Sequence, residues 1–403
     1  MLKRIPIVRP SIGEEEAQAA ARVVRSGWLT QGPEVAAFEA EFAAAVGATH
    51  AVAVSNCTVA MQLALTCVGV KPGDDVVTLS HSFIASANAA VNVGARPVFC
   101  DVEADTFGMD PRCLDRAITP RTKAVICVHQ IGIPCDIVGI LEVAARRGLP
   151  VVEDAACAIG SEVHVAGQWE RIGKPHGALA CFSLHPRKIV TTGDGGMLTT
   201  ADEAVAARLK RLRQHGMSVP DTARHHSDRV VFEQYVEPAY NYRMTDVQAA
   251  IGRPQIARLD SIVAERRRLA ARYREALAAS SVFEVPTERS TAHSNWQSYP
   301  LRIKQSCELS QIDLMQRLMD AGVACKRGIS NSHQEPAYSN SQTWACGPDP
   351  CPSDIRCPPG SCKRLRTSEV LRDTTILIPL FHGMTHDEQS LVISACLALE
   401  KMP

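Results

Sequence analysis

Residues 122–156 are TKAVICVHQIGIPCDIVGILEVAARRGLPVVEDAA, two apolar runs with an amphipathic stretch between them. The stretch opens on a β-branched run, TKAVICVH, and closes on another, PVVEDAA. Runs this apolar suit strands buried on both faces. Between them, DIVGILEVAARRG is amphipathic and ends on Gly148, which suits the left-handed position that closes a helix. Strand, helix, strand over this length is a parallel crossover.

The alternation continues in both directions. Further short runs stand at AVAV (51–54), DVVTL (75–79), PVFCDV (97–102), ALACFS (178–183) and GGMLTT (195–200), and alanine-rich stretches such as CTVAMQLALTCVG lie between most of them. The seven runs predict an α/β fold, a mostly parallel seven-stranded sheet covered by helices. After residue 200 the texture changes. DEAVAARLKRLRQHG is helical, SVPDTARHHSDR is a polar loop, and a long charged helix runs from about residue 258 to 277. Its ERRRLAARYREAL is a solvated face with an apolar stripe. SYPLRIK, QIDLMQRLMDAG and TTILIPL then read as a smaller α+β domain. The expected division is a large domain over 1–255 and a small one over 256–403, bridged by the long helix. CGPDPCPSDIRCPPGSC (346–362) is a loop, because its prolines exclude regular structure.

Composition narrows the class. The 403 residues are 46% hydrophobic and 21% charged, with 43 Lys plus Arg against 43 Asp plus Glu. A formal net charge of zero argues against nucleic acid or an anionic membrane surface as partner. No apolar run approaches the ~20 residues of a membrane span. The start, MLKRIPIVRPSIGEEE, meets prolines and acids too soon for a signal peptide, so the expected location is cytoplasmic. In that reducing compartment most of the 15 cysteines are free thiols. Cys100, Cys127 and Cys181 sit in apolar runs and read as core residues. Cys346, Cys351, Cys357 and Cys362 lack a Cys-x-x-Cys pair, which favours an insertion with incidental thiols over a zinc site. No metal ligand is assigned.

Three places carry chemistry. Lys188 follows the run that ends at Ser183 and precedes a Thr-Thr-Gly-Asp-Gly-Gly turn. Such a lysine can form a Schiff base once burial lowers its pKa, or it is a surface lysine at a strand end. Asp154 closes the run VVED, where it either holds a pyridinium nitrogen protonated or caps the next element. In AVAVSNCTVAMQLAL a strand turns into a helix at Ser55, Asn56, Cys57 and Thr58. That helix start is a phosphate site or an ordinary cap, and Ser183 can add its hydroxyl there. A phosphate cradle, an acid and a lysine at the carboxyl ends of successive strands are the three handles that pyridoxal phosphate requires.

At this point the chain resembles the DegT-type aminotransferases, pyridoxal-phosphate enzymes that aminate keto-sugars on nucleotide carriers. The likeness spans residues 5 to about 280 and rests on GWLTQGPEVAAFEAEFA, SNCT, KPGDDVVTLSHSFIASANA, GARPVFCDV, VHQIGIPCD, VEDAACAIG, FSLHPRKIVTTGDGGM, RQHG and YNYRMTDVQAAIG. TTILIPLFHGMTHDEQ resembles the closing strand and helix more weakly. The resemblance implies a fold-type-I homodimer with shared active sites. It makes Lys188 the Schiff-base lysine and proton carrier, Asp154 the partner of the pyridine nitrogen, and Phe83 the aromatic stacked on the ring. Thr58 and Ser183 match phosphate ligands, and Asn241 matches one delivered by the neighbouring subunit. Trp28, Thr30 and His185 fall near the expected sugar pocket. Two cofactor positions depart from the family: Cys57 replaces a usual glycine, and Cys157 a usual glutamine or histidine. One branch of the family carries histidine in place of the lysine and removes a hydroxyl; Lys188 points away from it.

The expected reaction moves an amino group from glutamate onto a keto group of a nucleotide-linked sugar, in polysaccharide or antibiotic-sugar synthesis. The alternatives are a dehydratase or a cyclitol or secondary-metabolite aminotransferase on the same fold, and, from another class, a non-catalytic cofactor-binding sensor.

Overall fold

The computed structural model describes residues 4–219, 227–338, 343–348 and 360–401. All seven expected runs form strands of one sheet: β1 (His50–Val54), β2 (Asp75–Leu79), β3 (Arg96–Cys100), β4 (Thr122–Val128), β5 (Val151–Asp154), β8 (Leu179–Ser183) and β9 (Gly196–Thr200). Between β5 and β8 lie β6 (Glu162–Val165) and β7 (Gln168–Arg171). The order across the sheet is β1-β9-β8-β5-β4-β2-β3. Only β9 is reversed, antiparallel to both β1 and β8, while the remaining neighbours pair in parallel. Six strands therefore deliver their carboxyl ends to one edge, and β9 begins there.

The sheet is apolar on both faces because helices cover both. One face packs Val77, Leu79, Val125 and Phe182 against Phe38 and Phe42 of the helix Pro33–Val46. The other packs Val52, Val76, Val152 and Leu198 against Met61, Leu63 and Leu65 of the helix Cys57–Cys67. Cys127 is packed on the first of these faces and Cys181 on the second, both fully buried, as the apolar runs around them require.

A second core gathers Tyr273, Tyr299, Leu301, Ile376 and Phe381. Its antiparallel sheet has the order β10-β12-β14-β13, where β10 is Phe283–Glu284, β12 Tyr299–Ile303, β13 Lys326–Arg327 and β14 Thr375–Ile378. The long helix, Leu259–Leu277, gives Leu259, Ile262 and Val263 to the large core and Leu269, Tyr273 and Leu277 to the second. Ile5 crosses the other way, pairing with Val323 inside the second core.

A third sheet was not expected: the hairpin β6–β7 is extended by β11 (Ala292–His293). Trp169 stacks on His293 there at 3.8 Å. Of the Cys- and Pro-rich loop, Cys346 and Cys362 are buried in a small cluster with Phe99, Tyr338 and Leu365, while Cys351 and Cys357 lie outside the described residues. Among the described residues no helix is long and apolar enough to cross a membrane.

Candidate active site

The site is built on the edge where six strands end. After β1 the chain turns into the helix Cys57–Cys67, capped by Asn56, whose Oδ1 accepts the amide of Val59 at 3.1 Å. A helix cannot satisfy its own first amides, so those of Cys57 and Thr58 point outward with the positive end of the dipole. Strand β9 begins hard against this turn. A Cβ on Gly196 would lie 2.4 Å from the Asn56 carbonyl, so only glycine fits. Ser183 pairs in register with Gly196 and is thereby set beside the helix start. The hydroxyls of Thr58 and Ser183 bond to no described residue. Two unpaired amides and two unpaired hydroxyls are the chemistry of an anion cradle.

Asp154, 4% exposed, ends β5. Its Oδ2 accepts the hydroxyl of Ser86 at 2.7 Å and its Oδ1 the amide of Ala156 at 3.1 Å. Burial raises the carboxyl above its ordinary range, and these bonds and the nearby Lys188 oppose it only in part. Phe83 lies one turn before Ser86, whose amide donates to the Phe83 carbonyl at 3.2 Å. Phe83 is 73% exposed, a large apolar residue left mostly open to solvent.

Lys188 ends a tight turn in which its amide donates to the His185 carbonyl at 2.8 Å. Its Nζ stands 3.0 Å from the sulfur of Cys157. Burial pushes the amine down, as the sequence reading expected, but the Cys157 sulfur and the Asp154 carboxylate outweigh it. The net shift is upward. The expected lowering is therefore corrected: the neighbours raise the Lys188 amine above its ordinary range. Cys57 lies below the same pocket, its thiol driven well up by burial and by Asp154.

The outer residues are held less directly. Asp246 accepts the amides of Gly32 at 2.8 Å and Val35 at 3.0 Å, which ties the Trp28–Gly32 loop to the helix Asp246–Ala257. That helix's Gln248 donates to the Asp194 carbonyl in the turn after Lys188. Thr30 and His185 are exposed and Trp28 is half-buried. Asn241 is exposed, between Tyr240 and Tyr242, whose rings stack at 4.7 Å. The Tyr242 carbonyl accepts the amide of Ser55 at 2.9 Å, which pins that segment beside the cradle.

Several site residues escaped the sequence reading. Ser86 orients Asp154. Asn295, fully buried, donates to the carbonyls of Cys157 at 2.9 Å and Ile159 at 2.8 Å and holds that loop in place. Behind Asp154, Glu153 binds the ring of His129 and the amides of His176 and Gly177. Only HSF and VHQ, as motif neighbours, signalled that Ser86 and His129 lie near the site; Asn295 and His176 had no local signal.

An anion cradle, an aromatic face, a buried acid and an amine at one edge can together hold a ligand with a phosphate, a flat basic ring and an aldehyde. Comparison with known proteins agrees. Residues 10–397 match the model of the DegT/DnrJ/EryC1/StrS aminotransferase family. The chain is 42% identical over 301 residues to the spore coat polysaccharide biosynthesis protein SpsC of Bacillus subtilis, covering 75% of this chain and 76% of SpsC. The aminotransferase TlmJ of Streptoalloteichus hindustanus superposes with a TM-score of 0.84 at 33% identity over 98% of both chains. Spr1654 of Streptococcus pneumoniae in its PLP-form gives 0.85 at 25% identity over 99% of both. The chain belongs to the DegT/DnrJ/EryC1/StrS family and is a pyridoxal-phosphate-dependent aminotransferase.

Proposed function

We propose that this aminotransferase moves an amino group from glutamate onto the keto carbon of a nucleotide-linked sugar in the cytoplasm. The observation that carries the reading is the meeting of Lys188, Asp154 and the Thr58–Ser183 cradle at one sheet edge. The likeness to a polysaccharide biosynthesis protein supports a sugar as acceptor.

Bound pyridoxal phosphate supplies an aldehyde for amines and a ring that draws electrons from the donor's Cα. The amides of Cys57 and Thr58 and the hydroxyls of Thr58 and Ser183 would hold its phosphate. Phe83 would cover one face of the ring. Asp154 would keep the ring nitrogen protonated, a role suited to a carboxylate that burial has left with few partners. Lys188 would hold the aldehyde, and its amine would carry the proton at the donor's Cα. Trp28, Thr30 and His185 line the acceptor side.

We further infer a two-fold dimer in which Asn241 reaches the partner's phosphate, and a division of the chain into domains 1–255 and 256–403. Lys188→Ala and Asn241→Ala proteins, each inactive, regain about a quarter of wild-type activity when unfolded and reassembled together if Asn241 acts across the interface. No recovery in proven mixed dimers refutes the shared site. The substrate reading is tested by half-reactions. Glutamate should convert the bound cofactor to pyridoxamine phosphate, and nucleotide-linked keto-sugars should convert it back. Return only with free keto-acids, cyclitol ketones or no acceptor refutes it.

A further inference from the structure

The contact between Lys188 and Cys157 has a chemistry of its own. Nitrogen and sulfur stand 3.0 Å apart, and both residues are half-buried. Each is anchored from behind, Lys188 through its turn to His185 and Cys157 through buried Asn295. These bonds hold the two backbones in place around the contact. Of the thiols around it, Cys57 and Cys181 are buried, so Cys157 is the sulfur that a small oxidant meets first.

We propose that Lys188 and Cys157 are a reversible oxidation site, at which hydrogen peroxide joins the lysine nitrogen to the cysteine sulfur and withdraws the lysine from the cofactor. Peroxide first oxidises the Cys157 thiol to a sulfenic acid and is reduced to water. The neutral Lys188 amine then attacks that sulfur. A nitrogen–sulfur bond forms, the sulfur–oxygen bond breaks, and hydroxide leaves as water with a proton from the nitrogen. In sum the thiol and amine lose two hydrogens and one peroxide becomes two waters. Proximity favours the second step, because the amine is the nucleophile already in contact with the sulfur. A dithiol reverses the bond: one thiol attacks the sulfur and releases the amine, and its second thiol resolves the mixed disulfide, freeing the Cys157 thiol as the dithiol is oxidised.

That the bond blocks cofactor loading rests on Lys188 being the cofactor's lysine; the bond itself does not. The test treats the full-length protein, stripped of cofactor or loaded with pyridoxal phosphate, with hydrogen peroxide and maps its peptides by mass. The stripped protein should lose two hydrogens in a cross-link between the Cys157 and Lys188 peptides. Dithiothreitol should reverse the link and restore cofactor loading, read by visible absorbance, from nearly none. Cys57→Ser should keep the link; Cys157→Ser and Lys188→Gln should each lose it. Oxidation of Cys157 to sulfinic acid without a cross-link, or a two-hydrogen loss mapped to Cys57 and Cys157, overturns the proposal. The loaded protein should be protected. Equal cross-linking with cofactor bound upholds the bond and overturns the assignment of Lys188 to the cofactor.

Discussion

Glu153 and Asp154 are neighbours in one strand, both buried, and the pleat of β5 sends them to opposite faces of the sheet. Glu153 is fully partnered. It accepts the amides of His176 at 2.7 Å and Gly177 at 2.8 Å, and the ring of His129 lies at 3.2 Å. Burial pushes its pKa up, but His129 and His176 outweigh that and hold it down at about 2. Among the described residues Asp154 has only Ser86 and Ala156 as hydrogen-bond partners, and burial wins, so its carboxyl is raised. A carboxylate has room for about four hydrogen bonds. Glu153 spends that capacity on its own chain and fastens β4, β5 and the approach to β8 together. Asp154 keeps capacity in reserve on the face that holds Lys188. The first pattern is an anchor; the second is an acid waiting for a donor from outside.

The contrast breaks most visibly at Glu153. Glu153→Gln leaves buried His129 without its counter-charge and should cost roughly 3–5 kcal/mol, read as a lower urea midpoint. The wild-type carboxylate's contribution is present above its unfolded pKa of about 4.3 and is lost as pH falls toward about 2, a loss of about 3 kcal/mol. An unchanged urea midpoint for Glu153→Gln, or a flat profile over that acid range, would falsify the anchor role.

Asp154→Asn should behave in the opposite way. The glutamate half-reaction should slow by roughly a hundredfold or more. The cofactor-free protein should melt higher, because a raised folded-state pKa means that the ionised acid costs stability at neutral pH. A near-normal rate joined to a lower melting temperature reverses the assignment of the two carboxylates.

Loading of pyridoxal phosphate sharpens the electrostatics of the open face. The upward shift of Lys188 makes the neutral amine scarce at neutral pH, so the loading rate should rise about tenfold per pH unit into the alkaline range. A rate that is flat from neutral pH upward contradicts the shift. The smallest effect is expected from Ser86→Ala, which removes one of the two bonds to Asp154. A slowing of severalfold, about 1 kcal/mol, with unchanged fold is the expected result. A loss as large as that of Asp154→Asn means that Ser86 does more than orient.

The large sheet was legible because its strands are apolar on both faces, and no other pattern explains seven such runs separated by helical stretches. The carboxyl-end positions of Asp154, Ser183 and Lys188 followed from the same runs. The hairpin β6–β7 was not legible. EVHVAGQWER is polar and half-exposed, so neither of its faces announces a core. The site's supporting residues were hidden for another reason. Ser86, His176 and Asn295 reach Asp154, Glu153 and Cys157 across 68, 23 and 138 positions of chain, and no local spacing encodes such contacts. The direction of the Lys188 shift failed in the same way, since it depends on a sulfur 31 positions away.

The central claim is that Lys188 is the residue joined to the cofactor. Borohydride reduction of the pyridoxal-phosphate-loaded protein, followed by peptide mass mapping, tests it directly. The account predicts one fixed cofactor per chain, on Lys188, and none fixed in Lys188→Ala. A cofactor fixed to any other lysine, or still fixed in Lys188→Ala, contradicts it.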